Sequence, residues 1–296
     1  MKLGIFTHYV PGTVGETARR IKAYGFDAVQ LNLEFTDWRF ADDSSASACR
    51  AVRETFRGQG LEIAAIAGYV NPVARDAAPR RPNHERLEAI LARANELGSP
   101  HVVTESGSYH PDDDWAPHPD NAAPRAFLDL RDAVAGLTEI ARREGAVLLL
   151  EPSVGNIIDT PAKAEALMQE IASPALGLVA DAANYIDGAN LARADEMLRQ
   201  MFARTSTWLR LAHAKDVRRI DGGPRERHHH VSDPTLWGGL EYPSAGLGDL
   251  DYALYLSLLE RDAPGIPLIL EHLDEADVPR AKAFLDSQLV GPPKAA

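Results

Sequence analysis

One cysteine, Cys49, stands in a chain of 296 residues. A lone thiol makes no intramolecular disulfide and no Cys-rich zinc module. In its Ala- and Arg-rich helical stretch it reads as an inert, half-buried side chain. No apolar run reaches the ~18 residues of a membrane-spanning helix. Residues 1–6 turn polar too soon for a secretory signal, so a cytoplasmic location is expected. Basic charge is also short: 31 Lys+Arg face 43 Asp+Glu, a net charge of -12. That balance argues against non-specific binding along a nucleic-acid backbone. It leaves room for a small anion in a local pocket. No Gly-x-Gly-x-x-Gly follows the first apolar run, which weakens a dinucleotide-binding reading. Low-complexity tracts and linker-like Pro/Ser runs are absent too.

What the sequence does have is alternation. Short apolar runs at residues 3–7, 28–33, 62–67, 101–105, 147–151, 177–181, 208–213 and 267–271 read as strands. Between most of them the period becomes helical. Leu87, Ile90, Leu91, Ala94 and Leu97 form one stripe, and Phe127, Leu130, Val134, Leu137 and Ile140 a second. Thr160-Pro161 reads as an N-cap followed by an N1 proline, and Gly25, Gly98 and Gly145 stand where helices end. Strands alternating with helices imply right-handed βαβ units and a parallel sheet. Eight such units predict a single closed (β/α)₈ TIM barrel over residues 1–296, with a tail frayed from about residue 288. Two connections are long. One runs from Ser106 to about Ala123 and carries Trp115, His118 and Asn121. The other, from about Val217 to Gly248, carries Arg218, Arg219, Arg225, Arg227, His228-His229-His230 and Trp237. In a barrel both border the C-terminal mouth, where chemistry sits.

The last four strands share a signature. They end Leu150-Glu151, Ala180-Asp181, Ala212-His213 and Leu270-Glu271. Neighbouring strand ends of a barrel converge, so three carboxylates and an imidazole would meet. Like charges that close in a low-dielectric pocket repel unless a cation intervenes. One acid at a strand end is ordinarily a cap or a solvated loop residue; four such ends in succession are harder to explain that way. Three carboxylates plus one imidazole suit one fairly hard divalent metal ion, Mn²⁺ first, with Mg²⁺, Co²⁺ or Zn²⁺ as alternatives.

Several stretches carry a family resemblance. They are Gly25-Phe26-Asp27-Ala28-Val29-Gln30-Leu31, Leu148-Leu149-Leu150-Glu151-Pro152, Asp181-Ala182-Ala183-Asn184, His213-Ala214-Lys215-Asp216, Ala245-Gly246-Leu247-Gly248-Asp249-Leu250-Asp251 and Leu268-Ile269-Leu270-Glu271-His272. Together, in this order, the chain resembles the xylose isomerase-like barrel superfamily, in its sugar phosphate isomerase/epimerase branch. The resemblance implies a (β/α)₈ barrel whose metal is held by Glu151, Asp181, His213 and Glu271. It also implies a small-molecule sugar or keto-sugar substrate and the prospect of a homo-oligomer. There are departures. The endonuclease IV group of the superfamily has a histidine ligand where Asn184 stands, and histidines where Tyr69 and Glu105 stand. Their loss, with the acidic charge, argues against a three-zinc nuclease. Relatives carry a lysine where Leu247 stands.

The chemistry implied is proton abstraction beside a carbonyl through a metal-stabilised enediolate. Glu151 and Glu271 are the catalytic pair, one removing the proton and the other returning it. Glu271 as a pure metal ligand is the plainer alternative. Substrate contacts are expected from His8, Tyr69, Glu105, Asn184 and Lys215. Lys215 either binds a substrate oxygen or pairs with Asp216, and Asn184 either contacts substrate or caps a helix. Trp115 and Trp237 either stack on a sugar or lie buried under their loops. The run 228–230 reads as solvated, since three consecutive residues cannot all face one ion. The first expectation is an isomerase or epimerase. The alternative is a lyase or dehydratase acting on a keto-sugar, keto-inositol or 3-keto-glycoside, C-glycoside cleavage included. A non-catalytic sugar-binding barrel and a hydrolytic nuclease are the remote readings.

Overall fold

The computed structural model describes residues 1–74, 77–220 and 239–289. Eight parallel strands close a barrel: β1 (Leu3–Phe6), β2 (Ala28–Leu31), β3 (Glu62–Ala67), β4 (His101–Glu105), β5 (Val147–Glu151), β6 (Leu176–Asp181), β7 (Leu209–Ala214) and β8 (Leu268–Leu270). They run in chain order around the barrel, and β8 closes onto β1 with Leu3 opposite Leu268. All eight predicted strands are present. The differences lie at their ends, and one matters: β8 stops at Leu270, so Glu271 stands just beyond the ladder. His272 follows it with φ 58, a conformation a non-glycine side chain rarely adopts and one that gathers at functional sites.

Helices α1 (Val14–Ala23), α2 (Ala46–Gly58), α3 (Ala77–Leu91), α4 (Ala94–Leu97), α5 (Pro124–Glu144), α6 (Pro161–Ile171), α7 (Ala194–Thr205), α8 (Tyr252–Asp262) and α9 (Val278–Leu289) surround the barrel. In α5, Leu130, Val134 and Leu137 are buried, while Phe127 and Ile140 flank them half-buried. Its ends follow the residue chemistry: Pro124 opens it and Gly145 closes it at φ 66. The Thr160 hydroxyl caps α6 by accepting from the Lys163 N–H. The stripe from Leu87 to Leu97 is divided between α3 and α4. The five apolar residues are still buried, but the helix breaks around Arg93, whose guanidinium reaches the Ser44 carbonyl at 3.0 Å. Cys49 is fully buried on α2, deeper than expected. None of the helices among the described residues is long and apolar enough to cross a membrane.

Two cores result. Large side chains fill the space between barrel and helices. Inside the barrel lies a layer of Ala28, Ala64, Ala65, Val103, Leu149, Val179, Leu211 and Ile269. Gly4 keeps this interior passable, since a Cβ there would come within 2.6 Å of Ile269 Cδ1 and 2.7 Å of the Ala28 carbonyl. Side chains alternate across a strand with period two. Outside the irregular β2–β3 pairing at Ala64 and Ala65, residues two beyond the layer therefore face inward one level higher, at the C-terminal mouth. Leu149 leads to Glu151, Val179 to Asp181, Leu211 to His213 and Ile269 to Glu271. By the same step Ala28 leads to Gln30 and Val103 to Glu105.

Candidate metal and active site

The pleat delivers Glu151, Asp181, His213 and Glu271 to one point. All four are buried, and one ligand atom from each lies within 4.8 Å of all the others. His213 Nδ1 is 3.5 Å from Glu151 Oε1, 3.4 Å from Asp181 Oδ2 and 3.5 Å from Glu271 Oε2. Nδ1 makes no hydrogen bond, and the Asp181 Oδ2 beside it is met by the Lys215 ammonium. A buried ring nitrogen without a hydrogen bond is rare. Lys215 adds the remaining charge. Its Nζ lies 2.8 Å from both Asp181 Oδ2 and Glu271 Oε1, and 3.7 Å from Glu151 Oε1. With a neutral imidazole, three carboxylates against one ammonium leave two negative charges. That is the charge of one divalent cation, and the O₃N donor set suits a hard or borderline ion.

The titrations point the same way. Burial alone would raise Glu271, but His213 and Lys215 outweigh it and hold its carboxyl at about 2, against 4.5 ordinarily. Burial works against the charged Asp181 as well, and Lys215 and then His213 bring it below its usual range. Burial opposes the His213 imidazolium, yet Glu271 and Glu151 raise it well above the ordinary value. Lys215 is likewise raised against its burial by Asp181 and Glu271. The site draws in positive charge, and a proton and a metal ion would compete for the same Nδ1 lone pair.

Neighbours fix these side chains. Asn184 Nδ2 donates to Glu151 Oε1 at 2.7 Å, and its own N–H donates to Asp181 Oδ1 at 3.1 Å. The Tyr69 hydroxyl donates to Glu151 Oε2 at 2.7 Å and accepts from Gln30 Nε2 at 3.0 Å. Gln30 Oε1 lies 2.8 Å from His213 Nε2. Asp216 does not pair with Lys215. Its carboxylate accepts the N–H groups of Val217, Gly246 and Leu250 at 2.9–3.0 Å. It thereby ties the 244–250 turn to the end of β7, which accounts for Gly246 and Gly248 in that stretch. Leu247 is half-buried, and its carbonyl takes a 2.9 Å hydrogen bond from Arg218.

Above the cluster lies a cavity of about 270 Å³. Glu151, Glu271, Lys215 and Asn184 form its polar side. Phe6, Tyr9, Tyr69, Trp115 and Tyr242 give it an aromatic wall, and His8 and His272 also border it. Of the five expected substrate contacts, His8, Tyr69, Asn184 and Lys215 therefore reach this cavity. Glu105 does not. It is the register partner of Glu151 and 1% exposed, but it is absent from the lining, and its Oε2 is buried without a partner. Burial first, then the carboxylates of Asp114, Glu151 and Asp113, raise its pKa well above the ordinary carboxylate range.

Trp115 is half-buried and packs 5.9 Å from the Tyr69 ring, at the cavity wall. A buried network holds its loop. Asn156 Nδ2 donates to the Asp114 carbonyl at 3.0 Å, and Asn121 joins Tyr109 N, Ser108 Oγ and the Gly155 carbonyl. His118 caps the short turn after it by accepting from Asp120 N–H. Arg218 and Arg219 form a two-residue antiparallel ladder with Leu240–Glu241. Arg225, Arg227, His228-His229-His230, Trp237 and the tail from Val290 lie outside the described residues.

The sequence reading assigned no role to Gln30, Tyr9, Tyr242 or His272. A polar residue inside the apolar strand Ala28–Leu31, 0% exposed, is the signal that marks Gln30. The other three come from loops and depend on tertiary structure.

The fold is a closed parallel barrel with a buried carboxylate–imidazole cluster, able to hold a metal ion, at its C-terminal mouth. The chain belongs to the xylose isomerase-like TIM barrel family, whose model matches residues 18–288. Three solved structures illustrate its fold. A D-tagatose 3-epimerase-like protein superposes with a TM-score of 0.72 at 19% identity, over 98% of this chain and 97% of that one. The 3-keto-D-glucoside 4-epimerase YcjR from E. coli gives 0.66 at 20%, over 98% and 99%. The probable 3-DHS dehydratase AsbF, involved in petrobactin synthesis in Bacillus anthracis, gives 0.73 at 16%, over 98% and 99%. At these identities the likeness is one of fold. No curated protein sequence matches the chain.

Proposed function

We propose that the protein is a divalent-metal-dependent isomerase or epimerase of a sugar or keto-sugar. The observation that carries this reading is the pair Glu151 and Glu271. They come from β5 and the end of β8, with β6 and β7 between them, and both border the same cavity. Glu151, Asp181, His213 and Glu271 would hold the ion, Mn²⁺ by the hardness of its donors. A divalent ion bound there supplies Lewis-acid polarisation of a substrate carbonyl and stabilises the oxyanion charge that develops beside it.

The protein's own groups do the rest. Glu151, held by Asn184 and Tyr69, is oriented to take a proton from the carbon beside the carbonyl. Glu271 returns one at the same carbon from the other side, or at its neighbour. Positioned acid–base groups contribute typically ~10²–10⁴-fold. Lys215 keeps its ammonium beside Asp181 and Glu271, so it donates to a substrate oxygen without leaving its ion pairs. The aromatic wall shields the reacting carbon from water and offers Trp115 and Tyr69 to a sugar face.

A lyase or dehydratase on a keto-sugar, keto-inositol or 3-keto-glycoside is the second reading. It is supported by the dehydratase among the similar structures, since elimination and isomerisation share the first proton abstraction. The test is to incubate the Mn²⁺-loaded protein with ketoses, keto-inositols and 3-keto-glycosides in D₂O and follow carbon-bound protons by NMR. Deuterium beside the carbonyl with an isomeric sugar supports the first reading. Loss of a substituent moves the assignment to the second. No exchange with any of them overturns both.

A further inference from the structure

Resting on that reading of the metal site, we infer that Gln30 is a positioning residue that sets two functional side chains through one amide: it fixes which His213 nitrogen is free to bind the metal, and it aims the Tyr69 hydroxyl at Glu151. Gln30 lies on β2, beside β3, which leads to Tyr69, and three strands from His213 on β7; it does not line the cavity and does not touch the ligand atoms.

The directions of its hydrogen bonds carry the inference. Gln30 Oε1 faces His213 Nε2 at 2.8 Å. An amide oxygen only accepts, so Nε2 must carry the proton. In the neutral ring the lone pair then sits on Nδ1. That is the atom that lies 3.4–3.5 Å from the three carboxylates and has no hydrogen bond. At the other end of the same amide, Gln30 Nε2 donates to the Tyr69 oxygen at 3.0 Å. With that lone pair engaged, the Tyr69 O–H is free to point at Glu151 Oε2, 2.7 Å away. Turning the amide over would reverse both settings. An N–H would face Nε2, the proton would move to Nδ1 and close it to a cation, and Tyr69 would donate to Gln30 and release Glu151. Outer partners of a ligating histidine typically govern metal affinity by ~10–100-fold.

The two legs of the amide predict a split that general destabilisation would not produce. Gln30→Leu removes both legs, so Mn²⁺ affinity measured by isothermal calorimetry falls ~10–100-fold and deuterium exchange falls with it. Gln30→Glu keeps an acceptor for His213 Nε2 but adds one that competes for the Tyr69 proton. It rescues Mn²⁺ affinity to near the wild-type value while exchange stays slow at saturating metal. Tyr69→Phe removes only the second leg and behaves as Gln30→Glu does. If Gln30→Leu fails to fold, the Gln30→Glu and Tyr69→Phe pair still reads the split. Imidazole ¹⁵N shifts of the Mg²⁺-loaded wild type should show a protonated Nε2. Wild-type Mn²⁺ affinity in Gln30→Leu, parallel loss of affinity in all three variants, or an Nδ1–H tautomer overturns the inference while leaving the metal site intact. A wild type that binds neither Mn²⁺ nor Mg²⁺ overturns the metal reading itself, and the inference with it.

Discussion

Replacing Lys215 by methionine tests the charge balance of the site in metal-free protein. The ammonium lies 2.8 Å from Asp181 and Glu271 and is 4% exposed. Removing one partner of a buried ion pair costs about 3–5 kcal/mol, because the other charge stays buried without compensation. At this chain length about 2 °C of Tm goes with each kcal/mol, so chelated Lys215→Met should melt roughly 6–10 °C below chelated wild type. The deficit depends on pH. In the wild type Glu271 titrates at about 2, below its ordinary 4.5. Its charged form therefore stabilises the fold above about pH 4.5, and that contribution fades as the pH falls toward 2. Without Lys215 the Glu271 pKa rises, so the deficit is largest at pH 8 and shrinks as the pH falls through the new value. A saturating divalent ion returns the missing charge, so the Mn²⁺-induced rise in Tm should be larger in Lys215→Met than in wild type. Differential scanning calorimetry of both proteins, with chelator and with Mn²⁺, reads all three effects. A chelated variant as stable as chelated wild type at pH 8 would refute the reasoning.

Other substitutions separate the remaining roles. Glu271→Gln keeps the shape but removes the charge; loss of both metal and deuterium exchange marks it as a ligand, whereas exchange lost with metal retained marks it as the acid–base group. Trp115→Ala removes a cavity wall and should raise KM roughly 3–10-fold with kcat little changed, the signature of uniform binding; a kcat loss with unchanged KM would contradict a wall role. Gly248→Ala drives a Cβ into the Asp216 carboxylate and the Val217 carbonyl, and should cost about 1–3 kcal/mol in a denaturant melt as that cradle opens.

Much of this architecture is legible in the sequence because two periods carry it. The apolar runs and helical stripes give the eight βα units, and the last residue of each run gives Glu151, Asp181, His213 and Glu271. What the rule of strand-end acids does not resolve is cover. Glu105 ends β4 as Glu151 ends β5, and the two are register partners, yet only Glu151 borders the cavity. Periodicity places a side chain on a face; the loops decide whether that face is open. Lys215 shows a similar limit. Pairing with its sequence neighbour Asp216 is one of the two expectations for it, but period two sends adjacent residues to opposite faces. Lys215 turns into the site, and Asp216 turns out to hold the 244–250 turn. Gln30 has no legible role in the sequence, because its meaning depends on His213 and Tyr69, 183 and 39 residues away.

The central claim is that Glu151, Asp181, His213 and Glu271 together hold a divalent ion. Elemental analysis of protein purified without chelator, wild type beside Glu151→Ala, tests it most directly. The account predicts stoichiometric divalent metal in the wild type and its loss in a folded Glu151→Ala. Stoichiometric metal that survives the substitution, or a wild type that neither carries nor takes up a divalent ion, would contradict it.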